Sequence, residues 1–347
     1  MKALRFTAPG TARLVDVQRP VTTSSEVLVA PRYVGLCGTD LELLSGTMPY
    51  FTEGVAAYPL QPGHEVTGVV SGSLTPDFAV GARVLLDPVI GCDDCAACFS
   101  GFPTRCPRRG EIGVRCGLPG GACEAIAVPS RNLHLLPDGV SLRDAVFVEP
   151  GVTVLNAVER MGEAAGRRAL VIGAGTLGLI AAQLLVSRGA SVDVLVVDKQ
   201  RAGLVERIAA RPVTKPQAGK YELVIEAAGA AEAVRTAFAA VGAGGHVAVV
   251  GVQPGPVDDV RINDLVLKDA TVHGVLNGPG LYGRMLDELA AGSFEPGLLI
   301  DSEFRLEDAT EALERLALQA RLRPKVMLRL CGPTPRPPDD RSGVPRR

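Results

Sequence analysis

The feature that most constrains this chain is a short apolar strand that ends in a glycine-rich turn and leads directly into an apolar helix. The strand RRALVIGAG is followed by the helix TLGLIAAQLLVSRG and a second strand, VDVLVVDKQ. Gly173, Gly175 and Gly178 stand in G-x-G-x-x-G spacing, and Asp198 ends the second strand. The first glycine permits the tight turn, the second lets a ligand approach the backbone, and the third lets the helix pack close to the strand. The segment therefore predicts a dinucleotide-binding βαβ unit.

The ligand expected at this turn is NAD, because the N-terminus of a helix attracts the pyrophosphate. The predicted cofactor-binding residues of this segment are Gly173, Gly175, Thr176, Leu177, Gly178, Asp198 and Lys199. A carboxylate at Asp198 accepts hydrogen bonds from the adenosine ribose and repels a 2′-phosphate, so we expect NAD rather than NADP. Lys199 and Arg201 oppose this preference, since each can reach that phosphate. FAD is the alternative dinucleotide, and the position of the turn after a β-rich segment favours NAD.

The remaining pattern divides the chain into regions. Strands and helices alternate over 151–275 with uninterrupted apolar strands, which is typical of a parallel sheet covered on both faces. Residues 1–150 carry short β-like runs broken by Gly and Pro and predict an irregular, barrel-like β domain. We therefore expect an α/β protein: a β-rich domain over 1–150, a doubly wound Rossmann domain over 151–275, and a return to the first domain over 276–330. The Pro- and Arg-rich residues 331–347 predict a disordered tail.

Charge and hydropathy exclude two classes of partner. The net charge of the 347 residues is −2, and the basic residues do not cluster, so we expect neither nucleic acid nor an acidic membrane as a partner. The longest uncharged run, 169–186, contains the glycine turn and is interpreted as strand, turn and helix rather than a membrane span. MKALRF continues into a strand-like pattern without a signal-peptide core, so a cytoplasmic protein is expected.

Four of the eight cysteines lie within one short segment, spaced Cys92-x2-Cys95-x2-Cys98-x7-Cys106. Thiolates at such spacings wrap one tetrahedral Zn²⁺ with Zn–S distances of about 2.3 Å. Since the protein fills all four positions, no position is left for substrate, and the site is predicted to be structural. An iron–sulfur cluster is the alternative, but its usual spacing has shorter gaps, and Cys106-Pro107 matches only its last step.

A second set of possible metal ligands is dispersed along the chain. Cys37 stands in GLCGTD, His64 and Glu65 in PGHE, and Glu149 in VEP. Taken singly, a cysteine is usually a small buried apolar residue and a histidine is more often structural than a ligand. Together, sulfur, nitrogen and oxygen donors suit a Zn²⁺ ion that keeps one position open for water or an alcohol oxygen.

These motifs, in the order GLCGTD, PGHE, four-cysteine lobe, VEP and VIGAGTLG, resemble those of the medium-chain dehydrogenase/reductase superfamily, in its zinc-containing alcohol and polyol dehydrogenase branch. The resemblance runs from MKAL to VMLRL and is greatest to sorbitol, threonine and glucose dehydrogenases. It implies a GroES-like β-rich catalytic domain beside the Rossmann sheet, and two Zn²⁺ ions per chain, one catalytic and one structural. It also implies hydride transfer from a secondary alcohol of a sugar, polyol or cyclitol to NAD(P), and we expect a homodimer or homotetramer.

The resemblance also implies roles for individual residues. In the polyol branch the ligands near the catalytic zinc draw on the glutamates that match Glu65 and Glu149, whereas liver-type alcohol dehydrogenases have a second cysteine in place of Glu149. Thr39 matches the Ser/Thr that takes the alcohol proton. Glu42 stands where many alcohol dehydrogenases have a relay histidine, and GVLNGPG, with Asn277, resembles a loop near the nicotinamide and sugar. We therefore predict that Thr39, Glu42 and Glu65 are catalytic and that Asn277 contacts the cofactor. The predicted metal ligands are Cys37, His64, Glu65, Glu149, Cys92, Cys95, Cys98 and Cys106.

Three departures from the family pattern matter, and several alternatives stay open. The segment Asp198-Lys199-Gln200-Arg201 stands where the aldose dehydrogenases often carry an arginine for the NADP phosphate. Gly151 follows Glu-Pro where the family usually has Leu, and residues 211–220 are shorter than the usual segment beside the adenine. The alternative enzymes are an amino-alcohol dehydrogenase, of threonine or aminocyclitol type, and a zinc-free quinone or enoyl reductase. A non-catalytic dinucleotide-binding protein is the alternative class. The hydroxyl of Thr39 is also a candidate cap for the helix DLELLSG.

Overall fold

A computed structural model of the chain describes residues 1–253, 255–318 and 321–330. The predicted disordered tail, 331–347, lies outside the described residues. The strands are β1 (Lys2–Ala8), β2 (Thr11–Asp16), β3 (Glu26–Leu36), β4 (Glu65–Ser73), β5 (Arg83–Leu86), β6 (Val89–Ile90), β7 (Gly110–Glu111), β8 (Ile126–Pro129), β9 (Leu133–Leu135), β10 (Arg168–Ile172), β11 (Ser191–Leu195), β12 (Arg211–Val213), β13 (Tyr221–Glu226), β14 (Val241–Val249), β15 (Thr271–Gly274), β16 (Ile300–Arg305) and β17 (Lys325–Arg329). The α-helices are α1 (Gly38–Ser45), α2 (Pro49–Thr52), α3 (Ala96–Phe99), α4 (Leu142–Ala145), α5 (Val148–Met161), α6 (Thr176–Ser187), α7 (Ala202–Arg207), α8 (Ala231–Ala240), α9 (Ile262–Val266), α10 (Tyr282–Ala290) and α11 (Ala309–Ala317).

The predicted parallel sheet is present, with six strands in the order β12-β11-β10-β13-β14-β15. The order reverses between β10 and β13, which is the topological switch point where open α/β sheets bind ligands. Successive residues of β10 point to opposite faces: Ala169 and Val171 pack in the core with α5 and α6, while Leu170 and Ile172 pack in the core with α8. Burial on both faces explains why this strand is apolar without interruption.

The second large sheet holds most of the β-rich part of the chain. Its strands run β16-β17-β3-β4-β5-β9, and β8 also pairs with β3. β17 lies antiparallel to β3, with Val326 opposite Leu36, so the end of the described chain is part of the sheet built by the first 150 residues. The helix α5 runs through the predicted domain boundary at 150/151. The exact domain bounds therefore stay a prediction.

The short segment 211–220 still completes the parallel sheet. β12 pairs with β11, and Arg211 lies opposite Asp193. The guanidinium of Arg211 donates to both carboxylate oxygens of Asp193 at 2.8 and 2.7 Å, and the Tyr221 hydroxyl donates to the same carboxylate at 2.7 Å. These hydrogen bonds satisfy a buried carboxylate and fix the register of a strand of only three residues.

At Gly151 the space that a leucine would take is filled by another side chain. A Cβ built on Gly151 would lie 2.3 Å from Cε of Met285, on α10. Met285 thus packs directly against the backbone of α5 at Gly151 and leaves no room there for a leucine side chain.

None of the helices in the described part of the chain combines the length and the hydropathy that a membrane span requires.

Candidate active site and metal centres

A cavity of about 200 Å³ opens between the two large sheets and gathers most of the predicted site residues. It is lined by Cys37, Thr39, His64, Glu65, Val89, Thr104, Arg109, Glu111, Glu149, Pro150, Thr153, Thr176, Leu177, Val250, Val252, Val275, Leu276, Asn277 and Lys325. An adjoining cavity of about 350 Å³ shares Cys37, Thr39, Thr176 and Leu177 and continues to Gly175. The candidate zinc ligands and the glycine turn were predicted from separate parts of the sequence. In the structure they face the same cleft.

The thiol of Cys37 and the imidazole of His64 lie at the base of this cleft. Cys37 is the N-cap of α1, directly after β3, and its N–H donates to Oδ2 of Asp40 at 2.9 Å. His64 immediately precedes β4. The Cys37 Sγ lies 3.2 Å from His64 Nε2. The Cys37 sulfur, a ring nitrogen of His64 and a carboxylate oxygen of Glu65 all lie within 4.8 Å of one another. Sulfur, nitrogen and oxygen donors at this spacing fit a Zn²⁺ ion.

Asp40 is a member of this site that the sequence analysis missed. Its side chain is fully buried, and Oδ1 lies 3.8 Å from Nδ1 of His64. Neither atom has a hydrogen-bond partner among the described residues. Burial opposes the charged imidazole, but Cys37 and Asp40 outweigh it and raise the pKa of His64. A carboxylate behind a ligating histidine is the usual device for orienting the ring, and the signal for it was the Asp in GLCGTD.

Glu65 is held by a buried lysine. Nζ of Lys325 donates to both carboxylate oxygens of Glu65, at 2.7 and 2.6 Å, and both side chains are almost completely buried. Gly35 on β3 makes room for this carboxylate, since a Cβ there would lie 1.9 Å from Glu65 Oε2. The sequence analysis missed Lys325 too, although a lysine in the apolar strand KVML was a signal.

Glu149 lies on the cavity wall but outside the group formed by Cys37, His64 and Glu65. It belongs to the first turn of α5. Burial raises the pKa of Glu149 to about 8; the charge of His64 opposes this rise, and that of Glu65 adds to it. A carboxylate in such a place ionises readily only beside a cation, which is the situation that a metal ion at Cys37 and His64 would create.

The four clustered cysteines meet as predicted around one point. All four sulfur atoms lie within 4.8 Å of one another, with 3.6 Å between Cys95 and Cys98 and 4.0 Å between Cys92 and Cys98. A tetrahedral ion with Zn–S bonds of about 2.3 Å requires edges of about 3.8 Å. Arg108 donates to the Cys92 sulfur at 3.2 Å, which favours its thiolate form. The donor set therefore fits a zinc ion that is closed to substrate.

The glycine turn has the geometry that its spacing predicts. Gly173 has φ +106°, which side-chain-bearing residues rarely adopt. Gly175 is the N-cap of α6, and a Cβ there would meet nothing within 4 Å. A Cβ on Gly178 would lie 1.9 Å from the carbonyl oxygen of Gly173. The turn is thus tight at Gly178 and open at Gly175, the side from which a ligand approaches.

Two alanine substitutions should separate these roles. Gly178→Ala is expected to lower the free energy of unfolding by about 1–3 kcal/mol, because the added methyl group overpacks the turn. Gly175→Ala should leave the melting temperature nearly unchanged and instead weaken NADH binding, because its methyl group enters only the space of the ligand. Thermal unfolding and NADH fluorescence titration test both variants, and equal loss of stability in both would contradict this assignment.

Asp198, Lys199 and Arg201 follow the second strand of the parallel sheet, β11, where the adenosine end of the cofactor is predicted. Asp198 Oδ1 accepts a hydrogen bond from the N–H of Gln200 at 2.9 Å, while Lys199 is exposed. Arg201 turns towards the phosphate turn and donates to the carbonyl of Ala174 at 2.8 Å. The guanidinium of Arg201 also donates to the carbonyl of Arg321 at 3.0 Å, so it is held by backbone, whereas Lys199 faces solvent.

Thr39, Glu42 and Asn277 lie at different depths of the cleft. Thr39 lines both cavities, whereas Glu42 lines only the one beside the glycine turn, where burial raises its pKa. Because Cys37 is the N-cap of α1, Thr39 is not its cap. Asn277 lines the first cavity with φ +55°, and its backbone carbonyl accepts from Asn156 at 2.6 Å.

Two family models match the chain. The alcohol dehydrogenase GroES-like domain matches residues 23–138, and the glucose dehydrogenase C-terminus matches residues 142–317, more than half of the 347 residues. The chain belongs to the zinc-containing alcohol and polyol dehydrogenases of the medium-chain superfamily. This confirms the predicted family, the predicted fold of a GroES-like domain with a Rossmann sheet, and the predicted enzyme class.

Relatives and solved structures agree with this family. L-galactonate-5-dehydrogenase of Escherichia coli (strain K12) is 29% identical over 314 residues, which cover 85% of this chain and 89% of that protein. Galactitol 1-phosphate 5-dehydrogenase of the same strain is 29% identical over 293 residues, which cover 79% and 82%. A structure described as a zinc-binding dehydrogenase from Sinorhizobium meliloti 1021 bound to NADP matches with a TM-score of 0.87 and 28% identity, covering 94% of this chain and 98% of that chain.

Proposed function

We propose that this dehydrogenase oxidises a secondary alcohol of a sugar, polyol or cyclitol with NAD, in the cavity between its two large sheets. The observation that carries the proposal is the meeting of the Cys37 thiol and the His64 imidazole, 3.2 Å apart, at the base of a cleft whose other side is the glycine turn. A metal site and a dinucleotide site that share one cavity are what alcohol oxidation requires.

The residues of the cleft have separate tasks in this proposal. Cys37 and His64 would hold the catalytic zinc together with Glu65, whose carboxylate Lys325 binds, or with Glu149, which lines the same cavity. Zinc, when bound, supplies Lewis acidity that lowers the pKa of the alcohol, and the nicotinamide, when bound, supplies the hydride acceptor.

Proton removal is assigned to residues of α1. The hydroxyl of Thr39 takes the alcohol proton, since Thr39 lies two residues after Cys37 and faces both cavities, whereas Thr176, which also faces both, belongs to the glycine turn. Glu42, one turn further along α1 and half-buried in the cofactor cavity, accepts the proton on its way to solvent. Burial raises the pKa of Glu42, which makes its carboxylate a stronger proton acceptor.

Zinc analysis and a dehydrogenase assay together test the proposed function. We expect two zinc ions per chain and reduction of NAD that depends on a polyol or sugar. A zinc-free reductase would have no need of either set of zinc ligands. Zero or one zinc ion per chain would therefore contradict the proposal. So would the absence of NAD reduction with every polyol and aldose tested. A cytoplasmic location and a homodimeric or homotetrameric state remain predictions.

The unaltered enzyme is expected to prefer NAD over NADP by about tenfold or more in kcat/KM, because a carboxylate at Asp198 beside a 2′-phosphate costs several kcal/mol, against roughly 0–1 kcal/mol from an exposed lysine. Asp198→Ala should narrow or reverse the preference. Steady-state kinetics with both cofactors measures it, with Arg207→Gln, an exposed position on α7, as a control that should change neither constant. Equal or better use of NADP by the unaltered enzyme would overturn the assignment.

A further inference from the structure

A second cavity lies behind one wall of the substrate cavity, the cavity of about 200 Å³ between the two large sheets. The small sheet of β6 and β7 separates the two cavities. Val89 and Glu111, which pair across this sheet, line the substrate cavity, whereas Ile90 and Ile112 line the second one. Successive side chains of a strand point to opposite faces, so one two-stranded sheet forms a wall of both. We call the second space the rear cavity.

The rear cavity has the size and the lining of a small-molecule site. Its volume is about 500 Å³. Its polar lining residues are Arg5, Gln18, Glu26 and Gln61, and the other lining side chains are apolar. Ligand pockets typically hold about 300–1,000 Å³ and combine a mainly apolar wall with a few polar groups that orient the ligand. The rear cavity therefore suits a small molecule with an apolar body and one polar end.

The charge of Arg5 lacks a counter-ion in this lining. Its buried Nε has no hydrogen-bond partner, and Arg5 forms no ion pair with any residue that the structure describes. In the register of β1 and β2, Arg5 lies opposite Arg13, and like charges in that position destabilise a strand pair. Glu26 does not compensate, since its Oε2 accepts from the N–H and the hydroxyl of Thr23 at 3.0 and 2.9 Å. An anion in the rear cavity would supply the missing partner.

The rear cavity also contacts the segment that carries a catalytic ligand. Gln61 is only 7% exposed, and its side-chain amide donates to the carbonyl of Gly120. Gln61 stands three residues before His64. A molecule in the rear cavity would therefore touch both this segment and the far side of the β6–β7 wall.

We infer that the rear cavity binds a small carboxylate with an apolar body through Arg5, and that this binding changes the KM of the alcohol substrate. A guanidinium binds a carboxylate with two parallel, charge-assisted hydrogen bonds, and the apolar body leaves water for the aliphatic lining. A ligand that fits one arrangement of the shared wall better than another shifts the affinity of the second site. The binding is independent of the proposed function, whereas its effect on KM rests on that function.

Calorimetric titration of the zinc-loaded enzyme without NAD tests the binding, with butyrate, hexanoate and octanoate as probes. We expect the affinity to rise about threefold to fourfold with each added methylene group, since each is buried against the lining. Octanamide, which has the same body without the charge, should bind at least about tenfold more weakly. Octanoate should also raise the melting temperature, because it binds only the folded protein.

Two variants assign the binding to the rear cavity. Arg5→Gln removes the charge, and Ala127→Met, on β8, fills part of the space. Each should weaken octanoate binding by about tenfold or more, and each should leave kcat and KM without octanoate nearly unchanged, because neither residue lines the substrate cavity. Arg207→Gln, an exposed position on α7, is the matched control and should bind octanoate as the unaltered enzyme does.

Steady-state kinetics tests the coupling between the two cavities. Saturating octanoate should change the KM of the polyol by about fivefold or more in the unaltered enzyme, and it should have no effect in Arg5→Gln. An unchanged KM in the unaltered enzyme would refute the coupling. Absence of NAD reduction with every alcohol would contradict the proposed function, while the calorimetric result would still decide the binding.

The catalytic zinc is the competing site for a carboxylate, and His64→Ala separates the two. We expect octanoate to bind His64→Ala with unchanged affinity. Loss of binding in His64→Ala together with its retention in Arg5→Gln would overturn the inference. So would equal binding of octanoate and octanamide, or no binding of any of the three carboxylates. Octanoate that binds only after dilution of an oligomer to monomers would show that a second copy covers the cavity, against the inference. If Arg5→Gln does not fold, unchanged octanoate affinity in Ala127→Met decides against it.

Discussion

Cys37→Ala and His64→Ala are each expected to remove nearly all turnover while the fold stays intact. Both side chains lie at the base of a cleft between two sheets that are built by other residues, and neither belongs to the main cores of the domains. Losing one strong ligand from a site that keeps an open position should release the catalytic zinc without unfolding the protein. We expect kcat to fall by at least about a hundredfold, in line with the several kcal/mol that metal polarisation contributes.

Three measurements on these variants test this prediction: kcat, zinc content and melting temperature. The zinc content should fall from two ions per chain to one, and the melting temperature should stay within a few degrees of the unaltered enzyme. Cys116→Ala is a suitable control, because Cys116 is an exposed cysteine outside both clusters. Retention of more than a few per cent of kcat in either variant would mean that the catalytic site lies elsewhere.

The sequence was sufficient for those parts of the site that are encoded locally. The glycine turn at Gly173 and Gly178 joins a strand to a helix within a few residues, so the backbone geometry follows directly from the spacing. The four-cysteine lobe is also encoded locally. Cys92, Cys95 and Cys98 are only three residues apart, so their sulfur atoms can bind the same ion. In both cases short-range chain geometry restricts the structure to one arrangement.

The parts that sequence reasoning missed depend on contacts between distant segments. Lys325 meets Glu65 only because β17 and β4 both pair with β3, and nothing in either local sequence specifies that register. Asp40 lies behind His64 because α1 starts at the end of β3. A buried lysine or aspartate needs a partner of opposite charge or a hydrogen bond. The sequence could therefore indicate that Lys325 and Asp40 have partners, but it could not identify those partners.

Glu149 shows a third kind of limit. The family resemblance predicts it as a ligand, and the structure places it on the cavity wall, yet outside the group of Cys37, His64 and Glu65. Glu65 belongs to that group although Lys325 binds both of its oxygens. Which carboxylate binds the metal depends on the balance between a lysine and a divalent cation, and that balance is an energy difference that residue spacing does not encode.

Cys95→Ser is expected to act on stability first and on catalysis second. The lobe that holds the four cysteines has little apolar core of its own: Phe99 is 78% exposed and Phe102 37% exposed. Its short helix α3 has four residues, too few to be stable in isolation. The ligands are organised only in the folded lobe, so zinc binding contributes folding free energy directly. We expect insoluble protein or a melting temperature lowered by about 5 °C or more, the shift that a loss of a few kcal/mol produces in a domain of this size.

The same variant should reveal how the lobe connects to the active site. Thr104 lies two residues before Cys106 and Arg109 three residues after it. Both line the substrate cavity, and the guanidinium of Arg109 donates to the Thr104 carbonyl. Loss of the lobe's zinc should therefore displace Thr104 and Arg109 in the substrate cavity more than it displaces Cys37 and His64. In any soluble Cys95→Ser protein we expect KM for the polyol to rise more than kcat falls, with the catalytic zinc retained. Thermal unfolding, zinc analysis and steady-state kinetics measure this, with Cys116→Ser as the matched control. A soluble variant with unchanged melting temperature and full activity would show that the lobe does not need its metal.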